Sequence, residues 1–179
     1  MTPDTAVSHG PDQVPVSELF ADLDAEFAGT RRILERYPDD QDPTWAPHEK
    51  SMGLLQLAAH VASLPEFARV IASEPEWNAA DAPYVPPAAT NRAELLDLFD
   101  GKVEAARAAI TSLGADDLQA NWRMRNGEIV YFEGKRGVLL RRFLVSHTAH
   151  HRGQLTVYYR MLGVPVPGLY GPSADDRRG

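Results

Sequence analysis

Apolar positions fall into four runs at helical spacing, separated by stretches rich in proline. Leu19, Phe20, Leu23, Phe27, Ile33 and Leu34 form a drifting stripe that predicts a first helix from about Ser17 to Tyr37. Ser17 supplies an N-cap and Pro38 a stop. A second run predicts a helix over 49–73, interrupted at Pro65. A third begins at Thr90 or Asn91, where Glu94 completes a capping box, and ends before Gly114. The last covers about 136–162 and stops at Gly163, with Pro165 beyond. Between them, residues 38–48 are turn-rich around Trp45, and 74–89 hold Pro75, Pro83, Pro86 and Pro87 and read as irregular. Asn126-Gly127 sits between two alternating runs, a hairpin signal. Four helices with short or medium connections predict an all-α antiparallel four-helix bundle with a small β-hairpin near 121–133. Residues 1–15 lack periodicity and predict a flexible N-terminal tail, leaving 16–175 as one domain.

Composition narrows the function classes. Apolar residues at 44% and charged residues at 24% are ordinary for a globular protein. A formal charge of −7 argues against a nucleic-acid partner, which needs a basic face. No run approaches the roughly 18 apolar residues of a membrane span. Met1 to Pro15 shows no apolar core of a secretory signal, so the expected location is cytoplasmic. With no cysteine, any metal site must use His, Asp or Glu.

The chemistry concentrates in His147-Thr148-Ala149-His150-His151, which holds three of the chain's six histidines. His147 and His151 are spaced i, i+4, so on a helix their rings leave one face a turn apart. At about 100° per residue, Leu140, Phe143, Leu144, His151, Gln154, Tyr158, Met161 and Leu162 all fall within about 60° of His147. The pair is therefore expected in the middle of the core-facing stripe, with Thr148, Arg152 and Tyr159 on the other side. His150 lies near the stripe's border and is the weaker ligand. Buried imidazoles need partners for their nitrogens, and a shared cation would supply one. In the second helix, His60 also lies on the apolar face, one turn before the kink expected at Pro65. The expectation is that His60, His147 and His151 converge on one divalent ion. The plainer alternative is that they are hydrogen-bonded core residues. His-Glu-x-x-His is absent, so no general base is built into the motif.

Other residues carry weaker signals. Gln56 and Gln154 flank the ligand positions and could orient a ring. Tyr158 could line a pocket. Tyr170 could cap the end of the bundle, or belong to a tail that merely covers a core edge or a dimer seam. Arg123, Arg125, Arg136, Arg141 and Arg142 form a basic group that could receive a substrate carboxylate, or simply a solvated face.

The block Ser146-His147-Thr148-Ala149-His150-His151-Arg152-Gly153-Gln154-Leu155, with Tyr159-Arg160-Met161-Leu162-Gly163 and Val166 to Asp175, resembles the DinB-like (DinB/YfiT) superfamily. Trp45 to Met52 and Leu57-Ala58-Ala59-His60-Val61 resemble its first histidine helix, so the likeness covers most of 17–175. The resemblance implies a four-helix bundle with up-down-down-up connections, a homodimer, and a divalent metal held at positions matching His60, His147 and His151. Relatives include thiol-dependent isomerases and S-transferases. Three imidazoles leave an ion an open position and its full charge, as in catalytic sites. The expected function is a metal-dependent enzyme acting on a small molecule through a metal-bound thiolate or water, as a thiol-dependent transferase or a hydrolase. Zinc or nickel is the expected ion and a low-molecular-weight thiol the possible second cofactor. The competing expectation is a non-catalytic, dimeric metal-binding or stress-associated protein.

Overall fold

The computed structural model describes residues 16–176. The flexible tail expected over 1–15 lies outside those residues. The described chain is mostly helical, with one small three-stranded sheet. Three of the four long helical runs of the sequence are divided, and the third is continuous. The first comes as α1 (Val16–Leu19) and α2 (Leu23–Leu34). The second starts only at Leu54, because residues 43–53 fold back in turns, and is divided into α3 (Leu54–Ser63) and α4 (Glu66–Ser73).

The division falls at Pro65, which lacks the N–H that would continue the ladder. The backbone tightens there: Leu64 N donates to Val61 O at 3.4 Å and Phe67 N to Leu64 O at 3.1 Å. The His60 carbonyl, which Leu64 would otherwise satisfy, accepts from Ser63 Oγ at 2.9 Å. His60 thus stands on the last turn of a helix whose end is chemically fixed.

Strand β1 (Trp77–Asn78) follows, inside the stretch read from sequence as irregular. Helix α5 (Arg92–Thr111) is capped by Asn91, whose side chain accepts from Glu94 N at 3.0 Å, while Glu94 Oε2 accepts from Thr90 N at 2.8 Å. Such a cap contributes about 1 kcal/mol. Its buried residues, Leu95, Phe99, Ala106 and Ile110, recur at the spacing of one face. A short α6 (Ala115–Gln119) leads into the hairpin β2 (Asn121–Asn126) and β3 (Ile129–Lys135). The two-residue turn is Gly127-Glu128, with Gly127 at φ 58, so glycine fills the first turn position, where a side chain would be strained. β1 pairs in parallel with β2, Trp77 opposite Met124, and β2 pairs antiparallel with β3.

The final run, expected as one uniform helix, is α7 (Arg136–Arg141), a π-helical turn over Arg142–His147, and α8 (Thr148–Met161). The change of winding rotates everything after it. The deepest face of α8 is Thr148, Arg152, Leu155 and Tyr159, at i, i+4, i+7 and i+11. This corrects the expected core stripe: Met161 is 58% exposed, Gln154 is exposed, and His147 and His151 are half-buried at the margin instead of central. A constant step of 100° fails across a turn wound i→i+5.

The core gathers Leu34, Leu54, Leu57, Val61, Leu95, Leu155 and Tyr159 where α2, α3, α5 and α8 meet. At about 1.5–3 kcal/mol for each large side chain buried, these contacts supply the main drive for folding. Small residues let helices approach. Gly29 of α2 is one: a Cβ there would stand 3.3 Å from Arg152 Nη1. No helix among the described residues is long and apolar enough to cross a membrane.

Candidate metal centre

His60 reaches the site from the end of α3, His147 from the last residue of the π turn and His151 from the first turn of α8. Side chains from two regions nearly ninety residues apart in sequence therefore meet. One nitrogen from each of the three rings lies within 4.8 Å of the other two, with all three half-buried. Ring centroids are 5.6 Å apart for His60 and His147, 4.5 Å for His60 and His151, and 4.6 Å for His147 and His151.

The tautomers follow from the contacts. His151 Nδ1 lies 2.8 Å from Gln154 Oε1, an acceptor, so Nδ1 carries the proton and donates. That leaves the Nε2 lone pair facing His147 Nε2 at 2.9 Å. His147 Nδ1 is buried and has no partner among the described residues. Burial holds His60 and His147 down at about 4, from an ordinary value of 6.5, with repulsion from the neighbouring His151 adding to it. Burial lowers His151 as well, against the opposing effect of the hydrogen bond it donates to Gln154. All three rings are thus neutral at pH 7, the protonation state that coordinates metal.

The donor set fits a divalent cation. It is all nitrogen, it includes no carboxylate, and its spread is one that ordinary ring rotations close to the roughly 2.0–2.1 Å bonds of zinc to imidazole. Gln154 is an orienting partner of the kind that accompanies metal-ligating histidine.

The remaining residues singled out by sequence divide clearly. His150 is exposed and stands outside the three-nitrogen group, though its ring centroid is 4.7 Å from that of His151. Gln56 turns back to the start of its own helix, its Oε1 3.4 Å from Gly53 N. Tyr158 is buried edge-on against Trp45 and donates to Met52 O at 3.1 Å, a packing role. Tyr170, itself exposed, reaches a buried ion pair on the far side of α8: its hydroxyl donates to Glu26 Oε2 at 2.9 Å and accepts from Arg152 Nη2. Arg123 and Arg125 are bound to Glu76, whose carboxyl they hold down at about 2, Arg125 more strongly. Arg141 is paired with Asp22, and Arg136 donates to Glu74 O at 3.3 Å. Arg142 lies over the Phe132 ring, 4.6 Å from its centroid.

Sequence reasoning missed the aromatic wall of the site. Phe143 stacks on Phe67 at 4.9 Å, and both rings lie about 6 Å or less from that of His147, at 5.6 and 6.1 Å. Phe143 was on the right face of its helix, but nothing in the sequence pairs it with α4. A cavity of about 410 Å³ opens beside these rings and His147.

Known proteins agree with this architecture. The model of the DinB family matches residues 13–178. A DinB-like protein from Bacillus cereus ATCC 10987 superposes with a TM-score of 0.66 at 21% identity, covering 87% of this chain and 98% of that one. A DinB-like protein from Bacillus subtilis gives 0.63 at 21%, over 89% and 99%. At that identity the likeness is one of fold. Among curated relatives, the uncharacterised protein YrdA of Bacillus subtilis is 53% identical over 34 residues, 19% of this chain and 20% of that protein. The glucosyl-3-phosphoglycerate phosphatase of Mycobacterium tuberculosis is 33% identical over 107 residues, 60% of this chain and 40% of that protein. The matches thus span about a fifth and two fifths of the length of these relatives.

Proposed function

The chain belongs to the DinB family, and from that premise we propose that His60, His147 and His151 hold one divalent cation, zinc or nickel, in a metal-dependent enzyme. The reaction is transfer from a low-molecular-weight thiol to a small-molecule acceptor, or hydrolysis. The observation that carries the reading is the convergence of three neutral imidazole nitrogens within 4.8 Å, two of them facing each other at 2.9 Å. When bound, the cation supplies Lewis acidity that lowers the pKa of a thiol or water within its reach. The protein's part is to hold three rings by fixed backbone, to set the His151 tautomer through Gln154, and to exclude water from one side with Phe67 and Phe143. The 410 Å³ cavity against His147 favours an enzyme over a purely structural site, because a structural ion is closed in by its ligands. The same reading takes the long helical runs as an antiparallel four-helix bundle and the working form as a cytoplasmic homodimer.

A screen of low-molecular-weight thiols with electrophilic acceptors, and of ester and phosphoester hydrolysis, tests it on metal-loaded protein beside a chelated control. The expected result is turnover that chelation abolishes and zinc or nickel restores. A protein that binds the ion but turns over none of these substrates is a metal-binding protein and not this enzyme.

A further inference from the structure

Five arginines cluster in sequence around the hairpin and the start of the last helix, and the structure engages four of them. Glu76 binds Arg123 and Arg125, Asp22 binds Arg141, and the Glu74 carbonyl accepts from Arg136. Arg142 differs: among the described residues no carboxylate lies within 4.0 Å of it and no hydrogen bond engages it. Its guanidinium rests on the Phe132 ring, which leaves its N–H edge free for a ligand.

That guanidinium lines the cavity of about 410 Å³ that also includes His147, with walls from Phe67 of α4, Met124 of β2, Phe132 of β3 and Phe143 of the π turn. The volume is within the range of about 300–1,000 Å³ usual for small-ligand sites, and an apolar wall with few polar groups is their usual make-up. A second feature ties the cation to the histidine. In an α-helix, residues five apart lie about 140° apart around the axis. Arg142 and His147 are five apart but face one cavity, because they bound a π-helical turn whose hydrogen bonds run i→i+5.

We propose that this cavity is a subsite for a small organic carboxylate with a planar apolar body. The ring lies among Phe67, Phe132 and Phe143, and the carboxylate is received by Arg142 in the two-pronged manner that guanidinium permits. The reactive end of such a ligand would be held beside His147. This deepens the metal-enzyme reading and rests on it for the meaning of the site, but its test does not depend on metal.

Benzoate is the probe and benzamide its neutral isostere, titrated calorimetrically into metal-free and zinc-loaded full-length protein. Benzoate is expected to bind at least about tenfold more tightly than benzamide in both forms, the scale of one charge-assisted hydrogen-bonded contact. Arg142→Gln removes that preference while leaving zinc content unchanged, and Arg142→Lys restores part of it. Arg142 is exposed, so both variants are expected to fold, with unchanged thermal unfolding as the control. Equal benzoate affinity in Arg142→Gln overturns the proposal. So does benzoate binding that requires zinc, which assigns the carboxylate to the ion, or binding no tighter than that of benzamide. Failure of the wild-type protein to take up zinc contradicts the metal reading alone, and the benzoate comparison still decides this one.

Discussion

His151 and Arg152 are neighbours on one helix, and each sits in a polar cluster, the first half-buried and the second buried. Arg152, 1% exposed, turns towards α2 and meets groups that satisfy most of its charge. Its Nη1 donates to Glu26 O at 3.0 Å and Thr30 Oγ1 at 2.9 Å, and its Nη2 to Glu26 Oε2 at 2.7 Å and to the Tyr170 hydroxyl; among the described residues Nε has no partner. His151 turns the other way, towards two more imidazole rings, with Gln154 as its only non-histidine polar partner among the described residues. His147 Nε2 and His151 Nε2 lie 2.9 Å apart and share one proton between them, and among the described residues the buried His147 Nδ1 has no partner. Evolution rarely leaves a buried polar group unpaired without a use. A polar cluster that completes itself holds the fold, whereas three converging imidazole nitrogens could hold a metal ion.

The largest effect should come from breaking the self-satisfied cluster. Arg152→Ala leaves the Glu26 carboxylate buried without its cation, and is expected to cost about 3–5 kcal/mol in urea unfolding. A cost below about 1 kcal/mol would remove the structural half of the contrast. His147→Ala in metal-free protein should cost less, since it removes one hydrogen bond between half-buried rings and leaves no buried charge unpaired.

The second effect is the response to acid. His60 and His147 are depressed from 6.5 to about 4 when folded, so between those values the unfolded chain binds more protons. Stability therefore rises with pH across that window. Metal-free protein is expected to lose stability as pH falls from about 6.5 towards about 4, because the folded site resists protonation that the unfolded chain accepts. A His60→Asn, His147→Asn double variant should flatten that part of the profile. An unchanged profile in the variant would mean that other groups carry the dependence.

The smallest is Tyr170→Phe. It removes one hydroxyl that bridges Glu26 and Arg152 while the ion pair remains, for an expected loss of about 0.5–1.5 kcal/mol with metal content unchanged. A loss of metal binding in this variant would show that the two clusters are not independent.

The sequence carried these two clusters unequally. The histidines were legible because i, i+4 spacing survives any rotation of the helix, and because Pro65 announced where His60's helix ends. The role of Arg152 was not: on a uniform helix it falls on the other side from the histidine stripe, with no pattern to mark it as buried. The π turn at 142–147 has no signature in residue type, and it rotates α8 so that Thr148, Arg152, Leu155 and Tyr159 go deepest. The hairpin was readable from Asn126-Gly127, whereas β1, two residues long, exists only because β2 is there to pair with it. The aromatic wall around His147 draws on α4, β3 and the π turn, and no local pattern joins those segments.

The central claim, that the three histidines hold one divalent cation, is tested most directly by ion content. Wild-type protein and its His60→Ala, His147→Ala and His151→Ala variants are loaded with zinc, desalted against a weak chelator and assayed by elemental analysis. The account predicts about one ion per chain in the wild type, as for a single three-histidine site, and a small fraction of that in each variant. Equal zinc in wild type and variants, or none in the wild type, would contradict it.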